Sequence, residues 1–132
     1  LENVTITGGA YGMSSGGGGV LTADHVTISG PSNVGVLIAG GKAVLRNSTV
    51  HGASLGVDLF HATALIDHSE ISSNSTGVNV DSTSTLRMSN SVVTGNNLGV
   101  ARARGGQFFS FGNNVISGNA IDGDTPDPLP LK

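Results

Sequence analysis

The chain has 132 residues, 21 of them glycine and none cysteine, and 6 basic against 9 acidic side chains leave a net charge of −3. That length fits one domain, and the missing cysteines exclude a disulfide framework and thiol chemistry. A pI near 5.7 offers no basic footprint for nucleic acid, and no apolar run approaches the roughly 20 residues of a membrane helix, so no membrane insertion is expected.

Read in chain order, the sequence repeats itself. A β-branched residue centres the phrases VTITG, VTISG, STVHG, SEISS, SVVTG and NVISG, at Ile6, Ile28, Val50, Ile71, Val93 and Ile116, with spacings of 22, 22, 21, 22 and 23 residues. Gly-Val or Gly-Met phrases recur at Gly12, Gly35, Gly56, Gly77 and Gly99. Around each anchor the apolar residues alternate with polar ones at a period of two, the signature of a half-buried strand.

The opening coil places Leu1, Val4 and Ile6 inward, and its SSGGGG segment, Ser14–Gly19, reads as a flexible replacement for a third strand. Later coils each give three short strands. The first carries Leu21/Ala23, Ala43/Leu45, Ala64/Ile66, Leu86/Met88 and Phe109/Phe111; the second is centred on the anchor. The third carries Val34/Val36/Ile38, Leu55/Val57/Leu59 and Thr76/Val78/Val80. Strands too short to form a sheet alone, recurring at constant spacing, predict a solenoid in which each pairs in parallel with its equivalent one coil on. The expected fold is an all-β parallel β-helix of about five and a half coils over residues 1–121, with 122–132 as a C-terminal capping tail. In that tail Pro126, Pro128 and Pro130 break the ladder, and Leu129 and Leu131 are placed to fold over the open end.

Two polar columns support the register. Three residues before the anchors stand Asn3, His25, Asn47, His68, Asn90 and Asn113; three after the last ones stand Asn74, Asn96 and Asn119. Asparagine tolerates left-handed backbone angles at a turn, and stacked amides can donate to one another as a ladder.

These rungs, the asparagine column and the Gly-Val phrases resemble right-handed parallel β-helix repeat proteins of the pectin-lyase-like superfamily. The ending FSFGNNVISGNAIDGD, residues 109–124, resembles the last coil of short exported bacterial members of unassigned function. The resemblance supplies the handedness and implies a secreted, cell-surface or periplasmic location. It implies little about activity, because the superfamily holds lyases, hydrolases, epimerases, adhesins and inert modules.

The candidate chemistry lies on the third-strand face, where Asp58, His61, Asp81, Arg102 and Arg104 form a mixed-charge patch. A carboxylate–imidazole pair could perform acid/base work, and arginine could hold an acidic sugar. Against this, scattered surface ion pairs are ordinary, and coils differing by one residue raise no loops to enclose a substrate. His25 and His68 sit two coils apart, too far to share a metal, and read as turn residues. Glu2, Asp24, Arg46 and Asp67 form an outward column in which Arg46 separates two aspartates. Asp122, Asp124 and Asp127 are a candidate calcium set without the spacing of the known twelve-residue loop, so no cofactor is expected. A threonine-rich rank, Thr5/Thr7, Thr27/Ser29 and Thr49/His51, resembles an ice-binding face but is interrupted by His51 and Glu70.

The expected function is a structural or glycan-contacting module without an evident catalytic site, with a polysaccharide as the expected partner. Two alternatives stand beside it: a polysaccharide lyase or glycoside hydrolase acting on an acidic polysaccharide through the third-strand face, and an adhesin or autotransporter passenger fragment. The open N-terminal end is expected to be covered by further coils, a cap or another subunit.

Overall fold

A computed structural model describes residues 1–128. It is all-β. The anchors form one sheet, six strands deep, in which Ile6, Ile28, Val50, Ile71, Val93 and Ile116 stack in unbroken parallel register. The first and third strands of each coil form a second, nine-stranded sheet that bends around the core. In two coils they run without a break, as the 13-residue strands Val34–Arg46 and Leu55–Asp67.

The apolar columns fill the tube. Val36, Val57, Val78 and Val100 stack on one another, as do Ala23, Leu45, Ile66 and Met88, and all are buried. The Gly-Val phrase has a steric cause. A Cβ on Gly56 would stand 2.5 Å from the Gly77 carbonyl oxygen and 2.9 Å from Ile71 Cγ2; one on Gly77 would meet the Gly99 oxygen at 2.6 Å. Only glycine lets successive backbones and the anchor side chain approach this closely.

Two expectations need correction. Leu86 pairs with Phe108 and Met88 with Ser110, so the inward pair of the last coil is Phe108/Ser110 rather than Phe109/Phe111. The extra residue of that 23-residue repeat lies in the turn after Ser110, where Phe111 is exposed and Gly112 has φ 104°. Phe109 instead faces outward under the Arg87 guanidinium, 5.8 Å from its ring centroid. In the first coil the third strand is intact: Tyr11–Gly16 pairs with the next coil through Ser14, Ser15 and Gly16, and only the glycines after it turn the corner.

Corners are where a solenoid must satisfy N–H groups that turn away from the ladders. The first asparagine column supplies backbone geometry: Asn3, His25, Asn47, His68, Asn90 and Asn113 all have φ between 47° and 56°. Its side chains are exposed, and the buried amide ladder belongs to the other column. There Asn96 Oδ1 accepts from Asn74 N at 2.9 Å and from Asn74 Nδ2 at 3.1 Å, while Asn119 Oδ1 accepts from Asn96 N and Nδ2, both at 2.9 Å. A serine column does the same beside the anchors. The Ser48, Ser69 and Ser91 hydroxyls accept from the N–H groups of Val26, Ser48 and Ser69, and Asn114 Oδ1 accepts from Ser91 N at 2.9 Å.

Outside this corner the Asp24–Arg46–Asp67 column is formed as the register requires. The Ser89 hydroxyl, 2.7 Å from Asp67 Oδ1, is the main cause holding that carboxyl at about 2, with His68 Nδ1 at 3.0 Å adding to it and partial burial opposing.

Two predictions follow from the corners. Asn96→Ala strands the Asn74 donors and the Ile71 and Thr94 carbonyls, and should cost about 3 kcal/mol or more, from roughly 1–3 kcal/mol per orphaned buried group. Asn90→Ala removes an exposed side chain from a left-handed position and should cost about 1–2 kcal/mol, the strain of that conformation. Urea melts separate the two, and equal losses would contradict the division of labour. For Asp67, a folded-state value below the unfolded one means that its stabilisation is complete above about pH 4 and lost as pH falls towards 2. The Asp67 carboxyl carbon should therefore titrate with a midpoint near 2 in the folded protein. In Asp67→Asn, the fall in urea midpoint between pH 4 and 2 should be shallower than in the wild type.

Candidate functional site

The third-strand face presents its outward residues in two columns: Ser14, Leu37, Asp58, Asn79 and Ala101, then Gly16, Ala39 and Phe60, in line with Asp81 and Ala103 beyond the shorter strands. Asp58 is half-buried between Leu37 and Asn79, and its Oδ1 accepts from Asn79 Nδ2 at 2.9 Å.

His61 and Asp81 meet at the corner that follows. His61 has φ 50° and stands where Gly40, at φ 87°, turns the previous coil. The next coil has one residue more here, and Asp81 caps the enlarged turn. Its carboxylate accepts from the Ser84 hydroxyl at 2.5 Å, from Thr83 N at 3.1 Å and Thr83 Oγ1 at 3.0 Å, and from His61 N at 3.3 Å. Partial burial works to raise the Asp81 pKa, but the hydrogen bonds from Ser84, Thr83 and the His61 amide outweigh it and leave it below the usual carboxylate range. Ser84 Oγ in turn accepts from Ala62 N at 3.0 Å, the same corner device as in the serine column. Thr83 Oγ1 lies 2.6 Å from His61 Nδ1, so hydroxyl, imidazole and carboxylate form one chain. The Phe60 ring lies edge-on to that imidazole, centroids 4.3 Å apart and planes at 72°.

The two arginines do not join this cluster. Arg102 pairs with the buried Val80, an inward position, and its guanidinium extends over the end of the tube to Asp127. Arg102 is the main cause that lowers the Asp127 pKa, and the Phe108 N–H, 2.8 Å from Asp127 Oδ2, adds to it. Asp124 accepts from Arg102 N at 2.8 Å. Arg104 is exposed at the rim of a depression of about 420 Å3 bounded by Arg102, Asp124 and Asp127. The five candidate residues thus fall into three places: Asp58 on the sheet face, His61 with Asp81 at the corner, and Arg102 with Arg104 at the C-terminal end. Leu129 and Leu131, expected to cap that end, lie outside the described residues.

The candidate calcium set is occupied by protein donors. Asp122 Oδ1 accepts from Asn119 Nδ2 at 3.0 Å, while Asp124 and Asp127 serve Arg102. Among the described residues no three His, Asp or Glu side chains converge as a metal-binding group. A larger depression, about 530 Å3, lies along another corner and is lined by Gly, Ser, Pro, Ala and Asn residues without a titratable side chain. Sequence reasoning missed Phe60, a 53 % exposed ring on the face that carries Asp58. Its outward position was legible from the alternation that places Val57 and Leu59 inward.

No curated protein and no solved structure matches the chain. A family model described as a right handed beta helix region matches residues 1–125. Together with the parallel coils of about 22 residues, this match makes the chain a member of the right-handed β-helix family.

Proposed function

We infer that this β-helix module contacts a glycan through its third-strand face and does not cleave it. A secreted, cell-surface or periplasmic location goes with that reading. The observation that carries it is the state of the Asp58 face: a carboxylate–amide pair, able to exchange hydrogen bonds with hydroxyl groups, beside an exposed aromatic ring. The same face supports binding better than hydrolysis. A glycosidase of the two-carboxylate type needs one carboxyl held protonated, with its pKa raised. Asp81 is shifted the other way and is occupied in capping its own turn. The arginines that would neutralise a uronate stand at the end of the tube, one of them bound to Asp127.

The test is a panel of neutral and acidic polysaccharides assayed for both binding and cleavage. Binding to at least one polysaccharide is expected, and new reducing ends or unsaturated products from none of them, pectate, alginate and polygalacturonate with or without calcium included. Cleavage that Asp58→Asn abolishes while the melting curve is unchanged would replace the binding reading with an enzymatic one.

A further inference from the structure

The corner beyond Asp58 is built to hold one ring in place. Phe60 is 53 % exposed on a face whose other outward residues, Leu37 apart, are small or polar, with Ala39 beside it in the column. A lone surface phenylalanine is ordinary and needs no support. This one has a chain of support: Asp81 accepts from Thr83, Thr83 bonds the His61 imidazole, and that imidazole meets the Phe60 ring edge-to-face. His61 is fixed at its backbone as well, through its N–H to Asp81 and its left-handed φ. Edge-to-face contact at this separation is a favourable aromatic geometry and limits the torsional freedom of the exposed ring. A ring oriented in this way offers a flat apolar surface at little further entropic cost on binding.

Its surroundings select the ligand. Asp58 lies two residues back on the same face, about 7 Å along the strand at roughly 3.3 Å per residue. Asn79 satisfies one of its carboxylate oxygens, Oδ1, and the other is available to accept from hydroxyl groups. The outward third-strand positions carry three charged residues, Asp58, Asp81 and, at the C-terminal end, Asp124, all acidic. An anionic polymer laid along this face would meet like charge. A neutral one would present apolar C–H faces to the ring and hydroxyls to the carboxylate. The rise per coil, about 4.8 Å, is also close to the length of one sugar unit in an extended chain.

We propose that Phe60, with Asp58 and Asn79, forms a subsite for a neutral, extended polysaccharide, the ring stacking on one sugar and the carboxylate–amide pair binding its hydroxyls. Thr83 and His61 act as positioning residues for the ring. This rests on the glycan-contacting reading above and narrows it to uncharged chains, against the acidic substrate that the enzymatic alternative requires.

Isothermal titration with linear gluco-, xylo- and manno-oligosaccharides, and with oligogalacturonate as the anionic counterpart, tests it. At least one neutral oligosaccharide should bind and oligogalacturonate should not. Phe60→Ala should weaken binding at least tenfold with the melting temperature unchanged, and Phe60→Trp should retain it. Thr83→Val should weaken binding less than Phe60→Ala does, and His61 should then show altered ring resonances in the NMR spectrum. Tighter binding of oligogalacturonate would overturn the proposal and leave the glycan reading standing. Neutral binding that survives Phe60→Ala would move the site elsewhere and overturn it as well. No binding to any member of the panel would overturn both.

Discussion

Parallel, in-register stacking at one strand spacing per coil is the constraint on which everything else in this molecule depends. Each residue stands on its equivalent about 22 positions away, so a property at one position is imposed on a whole column. An inward position must be apolar in every coil or be closed off at an end. At the turn before each anchor, the same position must accept a left-handed backbone in every coil. The corners are the hard part, because their N–H groups leave the sheet ladders. The protein answers with side-chain acceptors reaching from the next coil: Asn96 to Asn74, Ser69 to Ser48 and Ser84 to Ala62. A buried donor left unmatched would cost about 1–3 kcal/mol, so these columns are as obligatory as the valines.

Most of the fold was legible because spacing alone identifies columns. The anchors pair as aligned, and the residues placed three before them all adopt positive φ. What the spacing did not reveal was where an inserted residue goes. The last repeat is one residue longer, and nothing in FFSFG distinguishes an insertion before the first strand from one after it. The structure puts it in the turn, where Gly112 absorbs it at φ 104° and Phe108 fills the core. Composition misled in the first coil. Glycine-rich SSGGGG reads as loop, yet Ser14–Gly16 is a strand, because its neighbour Val34–Arg46 is already in place to pair with it. Tertiary pairing there overrides a weak local propensity.

The asparagines show a subtler limit. Two columns that share asparagine, each three positions from the anchor, have different tasks: one gives backbone angles at an exposed corner, the other a buried amide ladder. Burial separates them, and burial depends on how sharply the chain turns, which the repeat length does not encode. The serine column was visible at the second position before Val50, Ile71 and Val93 and went unread, because single serines carry no signal until their alignment is known. The candidate site was legible as a face and not as a cluster. Asp58 and Asn79 fall together as the register dictates, whereas Asp81 joins His61 only because the corner between them holds an extra residue. The inward placement of Arg102 was legible, but its partner Asp127 lies beyond the repeat, where periodicity has nothing to say.

A surface made of identical coils has a consequence for recognition. If every coil offered the same outward residues, a repeating polymer could lie on it equally well in any register, shifted by one coil at no cost. Affinity would come from several weak, equal contacts and position would be undefined. The third-strand face is not uniform in this way. Its outward residues run from Ser14 and Gly16 through Leu37 and Ala39 to Asp58 and Phe60, then Asn79, Asp81, Ala101 and Ala103. One aromatic ring occurs in the series, in the third coil and flanked on both sides along the axis. A polymer unit that stacks on that ring can do so in only one register, and its neighbours then fall on small or hydrogen-bonding residues that tolerate them. If a polymer lies on this face as proposed, the regular coils are its track and the one irregular side chain fixes its register.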